Sequence, residues 1–401
     1  MSADTTSFGV LWPILASLRG GAPPGERMVL ESKVLFAGRP RALLVPARDP
    51  RRAHAAVAFF ITHPLRRAVA HALLLADRLL PHLGLLPRAC WEDFPARSLF
   101  GAMAVRDPAC AVLCGSPGPL QKVTILHTPF GDAPPRVAKV ALRQSADEAV
   151  AMEEFWLREL NAAPRLAPFV PRLTAAGALS GGRRYVAMSA LPGGDSSDAF
   201  GPAQRRFLAA LAGLSAQVLP WREAPSFRRL RARAASLGAL LGNERGLVEA
   251  VLAEIERRIG GQPLPACLAH GDFAPWNLRI EAGLLQVFDW EYAQTGANPL
   301  QDFFHFHLIS RVARGKEFDA RALAALLPGA ASHGREVFGA ASGVDQAAGT
   351  LALHYLLDVI TFYTEADQCL HTQHPVLRSY LGLLARRDAW LGPLPASEGM
   401  A

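Results

Sequence analysis

At 401 residues, half of them hydrophobic and 19% charged, the chain can build two or three domains or one large two-lobed enzyme, which excludes a disordered class. Its five cysteines are odd in number and lack a Cys-x-x-Cys pair, which fits a reducing, cytoplasmic setting and excludes a disulfide framework or a zinc site. The net charge of +7 sits mostly in residues 1–100, with thirteen Lys/Arg against seven Asp/Glu, and no basic cluster with interleaved aromatics speaks for nucleic acid.

In chain order, Met1-Ser-Ala-Asp-Thr-Thr lacks a positive start and Pro13 interrupts the first apolar run, so no secretory leader is expected. A strand pair is expected around Met28–Phe36 and Arg41–Val45. From Arg52 to Leu86 the spacing is helical, broken at Pro64 and Pro81. Within it, Ala68 to Leu80 is apolar nearly all round, the pattern of a buried or partner-facing helix. With Arg51, Arg52, Arg66 and Arg67 beside it, residues 51–86 also offer a peripheral contact with anionic lipid. Stable insertion is not expected, because no run of about 18 uncharged apolar residues occurs.

From about Phe100 the pattern turns to strands: Ala109–Cys114, Leu120–His127 and Arg136–Leu142, separated by two turn-forming, proline-rich stretches. The first turn carries Gly115 and Gly118, whose backbone can lie over phosphates, although prolines interrupt it. The third strand carries Lys139 in Val-Ala-Lys-Val. Only four lysines stand among forty-two basic residues, so a lysine kept inside an apolar strand points to a task that arginine does not fill. Lys122, one strand earlier, is a second candidate for phosphate contact. A helix is expected over Asp147–Asn161. Glu153 precedes Leu157 by four and Leu160 by seven, which puts it on their inward face, with Glu154 as the alternative. Arg184 to Leu191 reads as a strand, with Pro192-Gly-Gly reversing the chain.

Helices are expected over Gln204–Leu219 and Asn243–Ile259, with the basic run Arg228, Arg229, Arg231 and Arg233 between them as a solvated face. Next comes Leu268-Ala-His-Gly-Asp-Phe-Ala-Pro-Trp-Asn277. Twelve residues after Asn277, the strand Leu284–Phe288 delivers Asp289 in Val-Phe-Asp-Trp-Glu291. Phosphoryl transfer needs an Asp to orient the attacking hydroxyl, and an Asn with a second Asp to hold Mg²⁺ against the phosphates. Asp272, Asn277 and Asp289 occur in that order and at that spacing. His270 shapes the loop, since Asp272 already supplies the base. His305 and His307, alternating with phenylalanines, read as core or helix-face histidines, and Leu351–Ala389 as a helical tail.

His-Gly-Asp-Phe-Ala-Pro-Trp-Asn and Phe-Asp-Trp-Glu resemble the two main motifs of the aminoglycoside phosphotransferase and choline kinase family. The resemblance covers roughly residues 100–390. It implies an α+β, two-lobed protein-kinase-like fold: an N-terminal extension over residues 1–99, a small antiparallel-sheet lobe over 100–191, and a larger, mainly helical lobe over 192–401. It implies ATP and Mg²⁺ as cofactors and a small-molecule hydroxyl as acceptor. It further implies Asp272 as base, Asn277 and Asp289 as metal ligands, and Lys139 with its glutamate on the phosphates. Backbone around Met188, Ser189 and Leu191 would meet the adenine, Asp302 would brace the catalytic loop, and Glu291 would reach metal or substrate through water. No acid-rich run accompanies the helices, so a sugar, an amino alcohol or a similar metabolite is expected rather than a polycation. The competing reading is a nucleotide-binding pseudokinase or scaffold, supported by the proline-interrupted phosphate turn.

Overall fold

A computed structural model describes residues 28–36, 42–61, 63–93, 110–115, 118, 120–129, 134–179, 182–191, 194–195, 199–313, 315–316 and 318–392. The chain forms two compact units, one of residues 1–195 with Phe288–Glu291, the other of residues 196–287 with 292–401.

The first unit is built on one eight-stranded antiparallel sheet. Its strands are β1 (Met28–Leu35), β2 (Leu43–Pro46), β3 (Arg88–Asp93), β4 (Cys110–Cys114), β5 (Lys122–His127), β6 (Arg136–Ala141), β7 (Leu173–Ala178) and β8 (Arg184–Ser189), in the order β3-β1-β2-β4-β5-β6-β8-β7. The leading segment therefore joins the later strands by backbone pairing, with Leu43 opposite Leu113 and Leu44 opposite Val112. Val112, Val123, Ile125, Val140 and Ala187 are buried together under the sheet. Their β-branched side chains suit a pleated surface covered by helices. Two helices occupy the connection between β2 and β3: α1 (Pro50–Phe60), capped by Asp49, and α2 (Pro64–Leu79), each with proline in its first turn, where no amide partner is lost. The long helix α3 (Gln144–Ala162) packs on β6 and β8, burying Val150, Glu153, Leu157 and Leu160.

The second unit is mainly helical. Its helices are α4 (Pro202–Ser215), α5 (Pro225–Ser236), α6 (Arg245–Ile259), α7 (Gln301–Ala313), α8 (Ala320–Phe338), α9 (Val344–Asp367) and α10 (Pro375–Ala385). α9 runs through the middle, with Leu351, Leu353, Tyr355, Leu356 and Ile360 fully buried. Three short strands, β9 (Gln217–Pro220), β10 (Pro263–Ala269) and β13 (Gln294–Ala297), pair as β9-β10-β13. A hairpin of β11 (Leu278–Glu281) and β12 (Leu284–Val287) turns at Ala282 and Gly283, both at positive φ, as a two-residue turn demands.

Two sequence expectations are corrected here. Gln217–Leu219 is not the end of a helix: α4 stops at Ser215, and these residues pair with Leu264–Ala266, because the β10 edge offers a ladder and Pro220 cannot continue a helix. The basic run on α5 is not wholly solvated either. Arg233 bonds Asp358 and Glu365 on α9, and Arg229 bonds Gln294, so these two guanidiniums tie elements of the unit together.

Three histidines, two of them buried and His307 half-buried, make the second unit acid-sensitive. Burial pushes His307 and His333 down to about 4 and His354 down to about 3. An unfolded histidine titrates near 6.5. As pH falls from about 6.5 towards 4, the unfolded chain takes up protons that the folded unit refuses, so stability drops through that window. Each histidine costs up to roughly 2 kcal/mol at pH 5 relative to pH 7. Urea midpoints measured across this range should fall steeply with acid, and His307→Leu should flatten the slope. An unchanged slope in that variant would remove His307 from the account.

Candidate active site

Two groups of polar side chains stand out, one in each unit. In the first, β6 presents Lys139 to α3. Lys139 Nζ lies 2.5 Å from Glu153 Oε1 and 2.8 Å from Asp289 Oδ1. Glu153 has no solvent exposure at all. Burial alone would depress the ammonium, but the Asp289 and Glu153 carboxylates outweigh it and hold its pKa above the ordinary lysine value. Glu154, one residue on, turns away to Arg158 and Arg184. The 100° step of the helix separates the two, as the Leu157/Leu160 spacing anticipated.

Asp289 sits in the segment Phe288–Glu291, just past β12, and its φ is +75°. A residue with a Cβ adopts that conformation at a cost, which Asp tolerates better than most, and such backbone concentrates where a side chain must be aimed. Two residues on, Glu291 forms an ion pair with Lys122 on β5. That contact occupies the second lysine and the third acid with each other.

The turn between β4 and β5 closes tightly. The Gly115 amide donates to the Lys122 carbonyl at 2.9 Å, and a Cβ at Gly115 would stand 2.5 Å from that same oxygen. Gly118 faces open space, with nothing within 4 Å of where its side chain would be, while residues 116, 117 and 119 of the turn lie outside the described set. At the other end of the sheet, Met188 is buried and pairs with Val137 on one side and Leu173 on the other. The Ser189 and Ala190 amides donate to Arg172 and Pro135 carbonyls. Both N–H groups are thus used within the sheet, and Leu191 is the residue at which the ladder ends.

The second group lies where β10 runs into its following loop. Asp302, in the first turn of α7, accepts the His270 amide at 2.7 Å and the Gly271 amide at 3.0 Å. Burial raises its carboxyl pKa, against the opposing pull of His270 and those two amides. His270 is fully buried, and its Nδ1 accepts the Asp272 amide at 3.2 Å, which bends the loop. Gly271 takes φ +83°, and a Cβ there would meet the Tyr292 carbonyl oxygen at 2.3 Å, so no other residue fits.

This brace presents Asp272, whose two carboxylate oxygens meet different partners. Asn277 Nδ2 donates to Oδ2 at 2.7 Å and to the Asp272 carbonyl at 2.9 Å. His305 Nε2 lies 2.9 Å from Oδ1. His305 continues inward: its Nδ1 is 3.2 Å from the Tyr355 hydroxyl, which is 3.1 Å from that of Tyr380. With Nε2 protonated and donating to Asp272, Nδ1 accepts from Tyr355, and the chain of groups is satisfied from α10 through α9 to the loop. His305, which reads from sequence as a core or helix-face histidine, thus stands against the Asp272 carboxylate. The signal was its place three residues after Asp302 on one helix, which puts both side chains on the same face. His307, two residues on, packs instead against Phe200 and Phe303.

The family model described as the phosphotransferase enzyme family matches residues 126–337, more than half of the chain. The chain belongs to this family. It is a small-molecule kinase of the α+β, protein-kinase-like fold. Similar solved structures include aminoglycoside phosphotransferase APH(4)-Ia, at 14% identity and TM-score 0.47, covering 70% of this chain and 94% of that one. Macrolide 2'-phosphotransferase MphH from Brachybacterium faecium is similar at 19% identity and TM-score 0.40, covering 68% and 89%. The APH(2")-IIa complex with gentamicin follows at 16% identity and TM-score 0.41, covering 67% and 89%. No curated protein matches the sequence.

The donors of this phosphotransferase suit a hard cation. Among the described residues, no three His, Cys, Asp or Glu side chains cluster as a dedicated metal cage. Mg²⁺ asks for less, keeping several waters and taking one or two protein oxygens plus phosphate. Because Asn277 commits its NH₂ to Asp272, the amide oxygen is the atom it has to offer.

Proposed function

We propose that this phosphotransferase moves the γ-phosphoryl group of ATP to a hydroxyl of a small metabolite, with Asp272 as the base. The observation that carries the reading is the fixed Asp272 carboxylate, held from one side by Asn277 and from the other by His305. An acceptor hydroxyl bonded to this carboxylate is oriented for in-line attack. Its oxygen forms the new bond to phosphorus as the bond to the ADP oxygen breaks, and its proton passes to Asp272.

Lys139, kept charged by Glu153 and Asp289, neutralises the α- and β-phosphates. Asn277 and Asp289 are the oxygen donors that would hold Mg²⁺, which when bound would supply neutralising charge to the phosphates. Gly115 and Gly118 line the phosphate turn. The adenine edge meets the hinge beyond Met188 and Ser189, at Leu191, because the preceding amides are already bonded. Lys122 and Glu291 act as a pair rather than separately on phosphate and metal. His270 and Asp302 hold the loop.

The acceptor is a sugar, amino alcohol or similar hydroxyl metabolite rather than a polycation. Two carboxylates of α9, Asp358 and Glu365, bond Arg233, and Arg229 also acts on Asp358, so two guanidiniums balance the two acids and leave no net negative charge there for cationic groups. The test is ADP release with Mg·ATP across a panel of hydroxyl metabolites. At least one should stimulate turnover at least tenfold over ATP alone, with loss of the rate in EDTA. A panel with no stimulation, alongside tight ATP binding, would favour a nucleotide-binding scaffold instead.

A further inference from the structure

A helix attached to a sheet ordinarily buries its leucines and turns its acids out. α2 buries its acid and turns most of its leucines out. The side facing the protein carries Ala70, Leu74 and Asp77. Asp77 is 2% exposed, accepts the Leu86 amide at 3.0 Å and pairs with Lys33 of β1 at 2.7 Å. This buried ion pair fixes the rotation of the helix, because turning Asp77 outward would strand the Lys33 ammonium. The opposite side carries Leu65, Val69, Leu75 and Leu79, with Leu65 and Leu79 each 68% exposed. Leu83, in the turn that follows, extends the stripe at 55% exposure. Sixteen helical residues span about 24 Å, so the stripe is long, continuous and without a polar side chain.

Charge decides what such a surface fits. Arg66 and Arg78 flank the stripe on its two sides and are exposed, as is Arg51 at the start of α1. Between residues 50 and 88 the only acid is Asp77, which points inward. A second copy of the chain docking through the same face in two-fold symmetry would bring these arginines against each other with no acid to answer them. A leucine stripe edged by arginines, on a helix whose other side is pinned to the protein, has the polarity of a helix lying in a lipid headgroup boundary. No helix among the described residues is long and apolar enough to cross a membrane, so the contact is with the surface.

We propose that the outer face of α2 docks this phosphotransferase on an anionic bilayer, its leucines in the acyl boundary and its arginines among the phosphates. The inference is independent of the assigned chemistry and requires no knowledge of the acceptor.

The experiment is co-sedimentation of the full chain with two sets of vesicles: phosphatidylcholine alone, and phosphatidylcholine mixed in equal parts with phosphatidylglycerol. Binding to the anionic vesicles should exceed binding to the neutral ones at least tenfold and weaken with added salt. Leu75→Asp/Leu79→Asp changes only exposed positions, so it should fold with an unchanged thermal midpoint and lose at least tenfold in vesicle binding. Arg66→Glu/Arg78→Glu should abolish the preference for phosphatidylglycerol while leaving folding intact. Equal binding to both vesicle types, no binding to either, or full binding by the leucine variant would each overturn the proposal. So would a concentration-dependent dimer, seen by sedimentation velocity and dissolved by Leu79→Asp, in a chain that ignores vesicles; the face would then belong to a second copy.

Discussion

Asp272→Asn should retain nucleotide affinity and lose about 10²–10⁴-fold in phosphoryl transfer, the range that one positioned acid–base group contributes. Two donors converge on this side chain, Asn277 Nδ2 on one oxygen and His305 Nε2 on the other. A carboxylate accepts from both. An amide can accept from one only and turns its NH₂ towards the other, so the substitution also leaves a donor facing a donor. A further stability loss of about 1–3 kcal/mol should accompany it, as for a half-buried polar group left without a partner. Coupled ADP release on the stimulating acceptor reads the loss of transfer, calorimetric ATP titration the retained affinity, and urea unfolding the stability. A variant that keeps a tenth of the rate or more would remove Asp272 from the role of base.

Lys139→Met should strongly destabilise the first unit. Methionine fills similar space as a flexible apolar chain. It nevertheless leaves Glu153, without any solvent exposure, facing no cation. Breaking a buried pair from one side costs about 3–5 kcal/mol, because the remaining charge is neither solvated nor matched. Lys139→Met/Glu153→Leu should recover most of that loss, since replacing both partners by apolar groups removes the stranded charge. ATP affinity should stay at least tenfold below wild type in both variants, as the phosphate contact is absent from each. If the double variant unfolds as readily as the single one, the loss comes from packing and not from the charge.

Much of this was legible in the chain because it depends on neighbours in sequence. The Asp272–Asn277 spacing fits a single loop, and the strand before Asp289 reads from the short apolar run Leu284–Phe288. Glu153 could be preferred over Glu154 because helical periodicity fixes which of two adjacent residues turns inward. The scarcity of lysine marked Lys139 before any contact was known.

What sequence did not settle depends on partners far along the chain. His305 lies thirty-three residues after Asp272 and fifty before Tyr355, so its part in holding the carboxylate arises only when α7, α9 and α10 converge. The pairing of Lys122 with Glu291 joins residues that each looked suited to a separate task. β9 became a strand because a neighbouring edge was there to pair with, a tertiary opportunity that outweighed helical spacing. The orientation of α2 is of the same kind. The stretch Ala68–Leu80 is apolar nearly all round, so its pattern alone did not say which side faced out, and the buried Lys33–Asp77 pair decided it. Local sequence determined which groups could do chemistry; long-range contacts determined how their side chains are held and which surface remains for a partner.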